Sequence, residues 1–295
     1  MSELFTKIAE YAEQYEQLSH ASNIITKYYD LCNKVAKNKK EKQQWFALPL
    51  IAEKYLTYLE GNLTLNGYSD SIIKQRVKLL NDYYNFIHNN DFDNIFSAQG
   101  KFRPTILEEF LFIIFKDLVA EYQHKFESKT LTSGSVKAYT NLYFKAKSFD
   151  DFICCPHVAV NKKDQDYAIY RTFDFVIQDT KQSITLQVPA VAIEAKTFID
   201  KTMLDGIIAT AEKVKNGNPY TLFISVSELY DVASDVDPAY SRIDQIYVLR
   251  KTKRKTGWQD IDPDVVKLLF NDVQKHLLRP WSDVQTKMLQ DGVII

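Results

Sequence analysis

Residues 171–196 restrict the fold more than any other stretch, because they predict two β-strands joined by a polar turn. In the first half, Phe173, Phe175 and Ile177 alternate with other residues, which is the period of a strand. Residues 179–183 are polar and suit a turn. The residues that follow are rich in β-branched side chains, which favour strands. A β-hairpin is therefore predicted here, and the rest of the chain is interpreted around it.

This predicted hairpin carries two carboxylates and an amine. Asp174 lies in its first strand, while Glu194 and Lys196 stand two residues apart at the end of its second strand and so project from one face. Antiparallel pairing is expected to bring Asp174 close to that face. Paired carboxylates bind a hard cation such as Mg²⁺. Such an ion neutralises a phosphate and activates a water, and a lysine can stabilise developing negative charge.

Two interpretations of this group are open. In the first, Asp174, Glu194 and Lys196 form the catalytic site of a Mg²⁺-dependent nuclease. In the second, Glu194 forms a strand-end salt bridge with a neighbouring lysine and has no chemical role. The Asp-bearing strand that precedes the Glu-x-Lys motif favours the first interpretation.

Asp174 followed by Glu194-Ala195-Lys196 resembles the PD-(D/E)xK nuclease signature, and the separation of 194 − 174 = 20 residues suits a hairpin. The longer string V-P-A-V-A-I-E-A-K-T-F-I-D-K-T-M-L-D, residues 188–205, resembles type II restriction endonucleases of the BbvCI-like group. The resemblance covers roughly residues 101–250. Phe173 stands where the signature has proline.

The resemblance implies a Mg²⁺-dependent DNA endonuclease. Asp174 and Glu194 would hold the metal, helped by the carbonyl of Ala195, and Lys196 would orient the attacking water. Hydrolysis would leave a 5′-phosphate and a 3′-hydroxyl. Enzymes of this group cut asymmetric sites of the CCTNAGC type with two different, related subunits. The expected partners are therefore double-stranded DNA and a second related endonuclease subunit, in a heterodimer in which each subunit cuts one strand.

Composition sets wider limits. The net charge is 37 − 38 = −1, so contacts with nucleic acid must come from local basic patches. Three cysteines cannot form a disulfide framework, which predicts a cytoplasmic protein. The first ten residues include three charged side chains, unlike a signal peptide, and no run is apolar enough for a membrane span. Glycine-rich phosphate-binding motifs are absent, so no nucleotide cofactor is expected.

The predicted fold class is α/β, of the mixed α+β kind. A helical N-terminal region is expected over residues 1–95, and a PD-(D/E)xK restriction-endonuclease-like core, with a mixed central sheet flanked by helices, over residues 96–295. Within the core, helices are predicted at about 106–123, 135–147, 200–214 and 263–278, strands at 158–160, 167–177, 184–196, 220–226 and 243–249, and a turn at 161–166.

Glu108 is a further candidate metal ligand, on the first helix of the core. Thr105 and Glu108 match a capping box, T-x-x-E. Glu108 flanks the apolar helix face, whereas Glu109 is expected to point further away. Nucleases of the resembling fold often carry a carboxylate on this helix that reaches the metal. The capping role explains Glu108 equally well.

Six basic residues are candidate DNA contacts. Two of them, Lys101 and Arg103, lie in the loop before the first core helix; the others, Lys251, Lys253, Arg254 and Lys255, follow a predicted strand and lie near Trp258. For each group the alternative is a solvated surface loop. Two rival functions also remain: a nuclease of repair or recombination, and a non-catalytic DNA-binding subunit.

Overall fold

The computed structural model describes residues 2–33, 39–96, 102–127, 130–154, 156–178, 181–279, 281, 284–290 and 292. Its helices are α1 Glu3–Gln14, α2 Ser19–Cys32, α3 Lys39–Thr64, α4 Asp70–Asn89, α5 Phe92–Ile95, α6 Pro104–Lys125, α7 Phe149–Cys154, α8 Lys201–Gly217, α9 Pro263–Leu278 and α10 Val284–Gln290. Its strands are β1 Leu131–Lys145, β2 His157–Ile177, β3 Gln182–Ile199, β4 Leu222–Tyr230 and β5 Gln245–Val248.

The five strands form one mixed sheet in the order β1-β2-β3-β4-β5. β1, β2 and β3 pair antiparallel, whereas β3, β4 and β5 pair parallel. The parallel step from β3 to β4 needs a long crossover, which α8 provides. The predicted mixed sheet with flanking helices is therefore confirmed.

Helices cover both faces of the sheet. The largest buried core joins the N-terminal helices, α6 and α9 to one face of β2, β3 and β4, with Tyr55, Phe115 and Val191 among its members. A second core lies under α8 on the other face and includes Leu204 and Phe223. The largest core thus runs through both predicted regions, and a domain boundary at residue 95 stays a prediction.

One predicted helix, over residues 135–147, is wrong: residues 135–145 belong to strand β1. Val136, Ala138 and Thr140 are buried, while Ser135 and Lys137 are exposed. This alternation has the period of a strand and was the signal for it. The helix prediction relied on Ser133-Gly134-Ser135 as a start signal, but tertiary pairing with β2 decides the outcome.

The predicted turn at residues 161–166 is also wrong, because these residues lie inside β2. Asn161 pairs with Asn141, and Asp164 pairs with Lys137, so β1 satisfies the backbone of this polar segment. The two short strands predicted on either side are one strand of 21 residues. Asp166 is therefore a strand residue with a fixed side-chain direction.

Candidate active site

Two adjacent strands bring Asp166, Glu194 and Lys196 together. Tyr167 on β2 pairs with Ile193 on β3, so Asp166 and Glu194 lie side by side just beyond that pair. The Lys196 Nζ donates to Asp166 Oδ2 at 2.9 Å and to Glu194 Oε2 at 2.9 Å. The backbone N–H of Ala195 donates to the same Asp166 oxygen at 2.9 Å. Three consecutive residues of β3 thus fix both carboxylates around one ammonium group.

Burial and the neighbouring charges shift the pKa values of Glu194 and Lys196 in opposite directions. Glu194 is only 8% exposed, and burial raises the pKa of its carboxyl against the attraction of Lys196. Burial by itself would lower the pKa of Lys196, but the charges of Asp166 and Glu194 outweigh it and raise that pKa. The lysine is therefore held in its charged form, as an electrostatic role would require.

Asp174 does not join this group. It pairs with Thr185, accepts a hydrogen bond of 2.6 Å from the Thr185 hydroxyl, and is exposed. Thr185 lies nine residues before Glu194 on β3, which corresponds to about 30 Å along a strand. The expected approach of Asp174 to Glu194 is therefore wrong, and Asp166 occupies that place.

The reason lies in hairpin geometry. Antiparallel strands pair symmetrically about their turn, and here Ile177 pairs with Gln182 at the turn. A residue twelve positions after Gln182, which is Glu194, must face a residue about twelve positions before Ile177. Counting outward from the predicted turn of residues 179–183 leads to residue 168, which is two positions from Asp166 and six from Asp174. The mistaken turn at residues 161–166 concealed Asp166.

Glu108 lines the same cleft as Asp166. The cleft has a volume of 820 Å³ and is bounded by α2, α6, β1 and β2. Helix α6 begins at Pro104, so Thr105 lies inside the helix, and its hydroxyl donates to the Phe102 carbonyl at 2.9 Å. The predicted capping box with Thr105 as the N-cap is therefore wrong. The metal-ligand role of Glu108 stays a prediction.

Glu109 was expected to point away from the apolar helix face, but it is fully buried. Its carboxylate accepts hydrogen bonds from the backbone N–H groups of His20 and Ala21, at 3.0 and 3.1 Å, and from the Tyr55 hydroxyl at 2.9 Å. Burial raises the pKa of Glu109 to about 8. This residue fastens α6 to the start of α2 and to α3, and sequence periodicity gave no sign of that role.

The carboxylate oxygens of this group are ligands that suit a hard divalent cation. Asp166 and Glu194 each place a carboxylate oxygen within hydrogen-bond distance of one point, the Lys196 ammonium. Carboxylate oxygens are the ligands that Mg²⁺ prefers. Among the residues that the structure describes, no three His, Cys, Asp or Glu side chains come close enough to hold a metal by themselves. A metal held here would therefore need ligands from backbone, water or phosphate as well, which is usual for Mg²⁺.

The candidate DNA-contacting residues before α6 have different surroundings from those after β5. Lys101 lies outside the described residues. The Arg103 guanidinium binds Asp93 at 2.6 Å and Glu228 at 3.0 Å. Arg250 binds the same buried Glu228 and lies over the Trp258 ring at 3.9 Å. Arg103 thus belongs to an ion-pair network within the protein, and its contact with DNA stays a prediction.

The basic loop of residues 251–255 lies beside the candidate site. The Arg254 guanidinium lies 4.3 Å from the centre of the Phe198 ring. Phe198, Lys196 and Glu194 alternate along β3 and so share a face. Lys253, Arg254 and Lys255 are exposed, whereas Lys251 is exposed but paired with Asp262 at 2.5 Å. Positive charge is therefore concentrated near the carboxylate pair.

Comparison with solved structures supports the same architecture. A chain of the native BbvCI A2B2 tetramer, solved at low resolution, matches with a TM-score of 0.66 at 20% identity, over 89% of this chain and 95% of that one. A comparison with curated protein sequences gives no match. Within the described residues, no helix has the length and apolar character to cross a membrane.

Comparison with family models identifies the chain more closely. The model of the Bpu10I restriction endonuclease matches residues 99–261, which include α6, all five strands and the basic loop. The matched segment covers more than half of the 295 residues and contains Asp166, Glu194 and Lys196. The chain therefore belongs to the Bpu10I restriction endonuclease family.

Proposed function

We propose that this chain is a catalytic subunit of a type II restriction endonuclease, and that it hydrolyses DNA with Mg²⁺ through Asp166, Glu194 and Lys196. One observation carries the proposal. The Lys196 ammonium lies 2.9 Å from a carboxylate oxygen on each of two adjacent strands. Asp166 replaces Asp174 in the predicted set, because Asp174 lies near the other end of the hairpin.

The roles follow from the chemistry of each group. Asp166 and Glu194 would hold the metal with the carbonyl of Ala195, and Glu108 would reach the metal from the cleft wall. A bound Mg²⁺ neutralises phosphate charge and activates a water. Lys196 would orient the attacking water and stabilise negative charge that develops on the phosphate. The products would carry a 5′-phosphate and a 3′-hydroxyl.

The basic loop would hold the DNA next to these groups. Lys253, Arg254 and Lys255 are exposed, and Arg254 lies over the ring of Phe198, which shares a face of β3 with Lys196. Contacts from such side chains reach phosphates and position the duplex, but they do not read its sequence. Lys251 would contribute less, because Asp262 already neutralises it.

A second, related subunit would complete the enzyme. This chain offers one Asp-Glu-Lys group, and one such group attacks one phosphodiester at a time. A symmetric homodimer matches a palindrome, so an asymmetric site needs two different half-site readers. The similar BbvCI structure is an A2B2 tetramer, which fits a partner of this kind. Each subunit would then cut one strand.

The observed ion pairs also favour a second candidate function. Lys196 already neutralises both carboxylates, as it would in a purely structural cluster of a non-catalytic DNA-binding subunit. Digestion of a defined plasmid with Mg²⁺, with and without a candidate partner chain, separates the two. Cleavage that Asp166→Asn removes supports the proposal. DNA binding with unchanged cleavage in Asp166→Asn would select the structural cluster.

A further inference from the structure

Two serines of β4 lie beside the group of Asp166, Glu194 and Lys196. β3 and β4 pair parallel, with Glu194 opposite Ser225 and Lys196 opposite Ser227. Side chains that are opposite each other in a sheet project from the same face, so each serine lies next to its partner on β3. Both serines are fully buried, with an exposed fraction of 0%. They therefore form a matched pair at the border of the charged group.

The hydroxyl of Ser227 is paired, whereas that of Ser225 is not. The Ser227 Oγ donates to the Leu229 carbonyl at 2.6 Å. Within the part of the chain that the structure describes, the Ser225 Oγ has no hydrogen-bond partner. Buried polar groups are nearly always paired, because an unpaired one loses its hydrogen bonds to water and gains none in return. Alanine at position 225 would avoid that loss, so the hydroxyl needs a reason other than stability.

Glu194 lies between Ser225 and Asp166, because β3 lies between β4 and β2. In the structure, the Glu194 carboxylate accepts a hydrogen bond of 2.9 Å from the Lys196 ammonium, which also binds Asp166. The ammonium cannot keep both contacts when these carboxylates bind a divalent cation, because like charges repel. Glu194 then needs another donor to fix the direction of its carboxylate.

Ser225 is the neighbouring side chain that can supply this donor. Adjacent strands are about 4.8 Å apart, a distance that a glutamate side chain spans by changing its rotamer. A hydroxyl carries one donor, which suits a carboxylate oxygen. Carboxylates that bind a metal are commonly held by a hydrogen bond of this kind, and its loss weakens metal binding about 10–100-fold.

We propose that Ser225 is a positioning residue, whose hydroxyl donates to the Glu194 carboxylate when a divalent cation is bound. This inference rests on the proposed metal-binding role of Asp166 and Glu194. It extends the site to a third strand, since Asp166, Glu194 and Ser225 lie on β2, β3 and β4. Ser227 has no such role, because its hydroxyl is already bound to the backbone.

Mn²⁺ binding by the full chain without DNA tests the proposal, since carboxylate sites that take Mg²⁺ also take Mn²⁺. Electron paramagnetic resonance measures the free ion during the titration. Ser225→Ala should bind Mn²⁺ at least about tenfold more weakly than wild type. Its urea unfolding midpoint without metal should equal or exceed that of wild type, because an unpaired buried hydroxyl is removed.

Ser227→Ala is the matched control. It should keep the wild-type affinity for Mn²⁺ and lower the unfolding midpoint, because it loses a hydrogen bond that the structure contains. Ser225→Cys retains the size of the side chain but donates only weakly, so it should also bind Mn²⁺ more weakly. This variant decides the question if Ser225→Ala does not fold, which circular dichroism would show.

Several results would overturn the proposal: equal Mn²⁺ affinity in wild type and both Ser225 variants, an equal loss of affinity in Ser227→Ala, or a wild-type chain that binds no Mn²⁺. A lower unfolding midpoint in Ser225→Ala with unchanged affinity would give the hydroxyl a structural role only. Failure of the nuclease proposal is a different result. A chain that binds Mn²⁺ through Ser225 but never cleaves DNA, even with a related subunit, would refute the nuclease proposal alone.

Discussion

The two ends of the β2–β3 hairpin differ in every chemical respect. Near Asp166, one ammonium lies 2.9 Å from an oxygen of each of two carboxylates, beside a polar cleft and a basic loop. Near Asp174, the neighbours are Phe173, Phe175 and Val176, and the carboxylate bonds only locally to a threonine hydroxyl. A carboxylate in an apolar strand is thus a poor indicator of a site, and the cross-strand neighbour decides what an aspartate can do.

The largest expected effect tests this contrast directly. Asp166→Asn should reduce DNA cleavage by roughly 10³-fold or more, because it removes charge from the transition-state environment. Asp174→Asn, on the same strand, should remain within about twofold of wild type, since it lies far from the phosphate. Single-turnover cleavage with the partner chain present gives both values. A severe loss in Asp174→Asn with normal activity in Asp166→Asn would restore the original assignment.

The second prediction is that the group of Asp166, Glu194 and Lys196 cuts one strand of the DNA. A Lys196→Ala chain, mixed with an intact related subunit, should convert double-strand cleavage into nicking of one defined strand. The reason is that the intact subunit is oriented on the DNA by its own half-site, and its own catalytic group still cuts its strand. Mapping with end-labelled DNA measures this. Equal nicking of both strands would mean that the subunits bind in either orientation, and full double-strand cleavage would make this chain's site dispensable.

The third prediction concerns the basic loop, which we assign to the charged end. Replacing Lys253 and Lys255 by Ala should weaken binding to all sequences alike and flatten the salt dependence of log K by about 0.9 for each lost phosphate contact. Lys251→Ala should do less, because Asp262 pairs with that side chain. Titrations at several salt concentrations compare the three. A loss confined to one base pair of the site would make these residues base readers instead.

The smallest expected effect is on stability. Burial raises the pKa of Glu194, so its protonated form is favoured in the folded protein. The stabilisation from this proton is fully present below the unfolded pKa and is lost as pH rises through the folded pKa. The free energy of unfolding of wild type, relative to Glu194→Gln, should therefore fall as pH rises above 4.5, the usual pKa of a glutamate. Urea unfolding of the two proteins at several pH values measures this difference, and a difference that does not change with pH would contradict the prediction.

Most elements of the fold could be predicted from local sequence patterns. Pro263 after Asp262 begins α9 at the predicted residue, because proline suits the first turn and the aspartate caps it. Glu194 and Lys196 lie on one face of β3, as their spacing requires. These predictions succeeded because neighbouring residues alone determine them.

The predictions that failed concern residues whose structure depends on contacts between distant segments of the chain. Asp166 is a strand residue because β1 pairs with the residues on either side of it, Gln165 and Ala168. Glu228 accepts hydrogen bonds from Arg103, which is 125 residues away, and from Arg250, which is 22 residues away. No spacing rule links such residues. The candidate site was therefore predicted in its β3 half and missed in its β2 half.

The length of β2 has a geometric consequence. This strand runs for 21 residues, and a straight strand of that length would separate its two ends by about 65 Å. Instead, the backbone of Val158 near its start exchanges two hydrogen bonds with the side chain of Gln182, which pairs with Ile177 at its end. The strand therefore curls back on itself, and Asp166 lies near its middle, between the part that pairs with β1 and the part that pairs with β3. Misplacement by about 1 Å is enough to slow catalysis about 100-fold, so the curvature of this one strand also sets the alignment of the carboxylate pair.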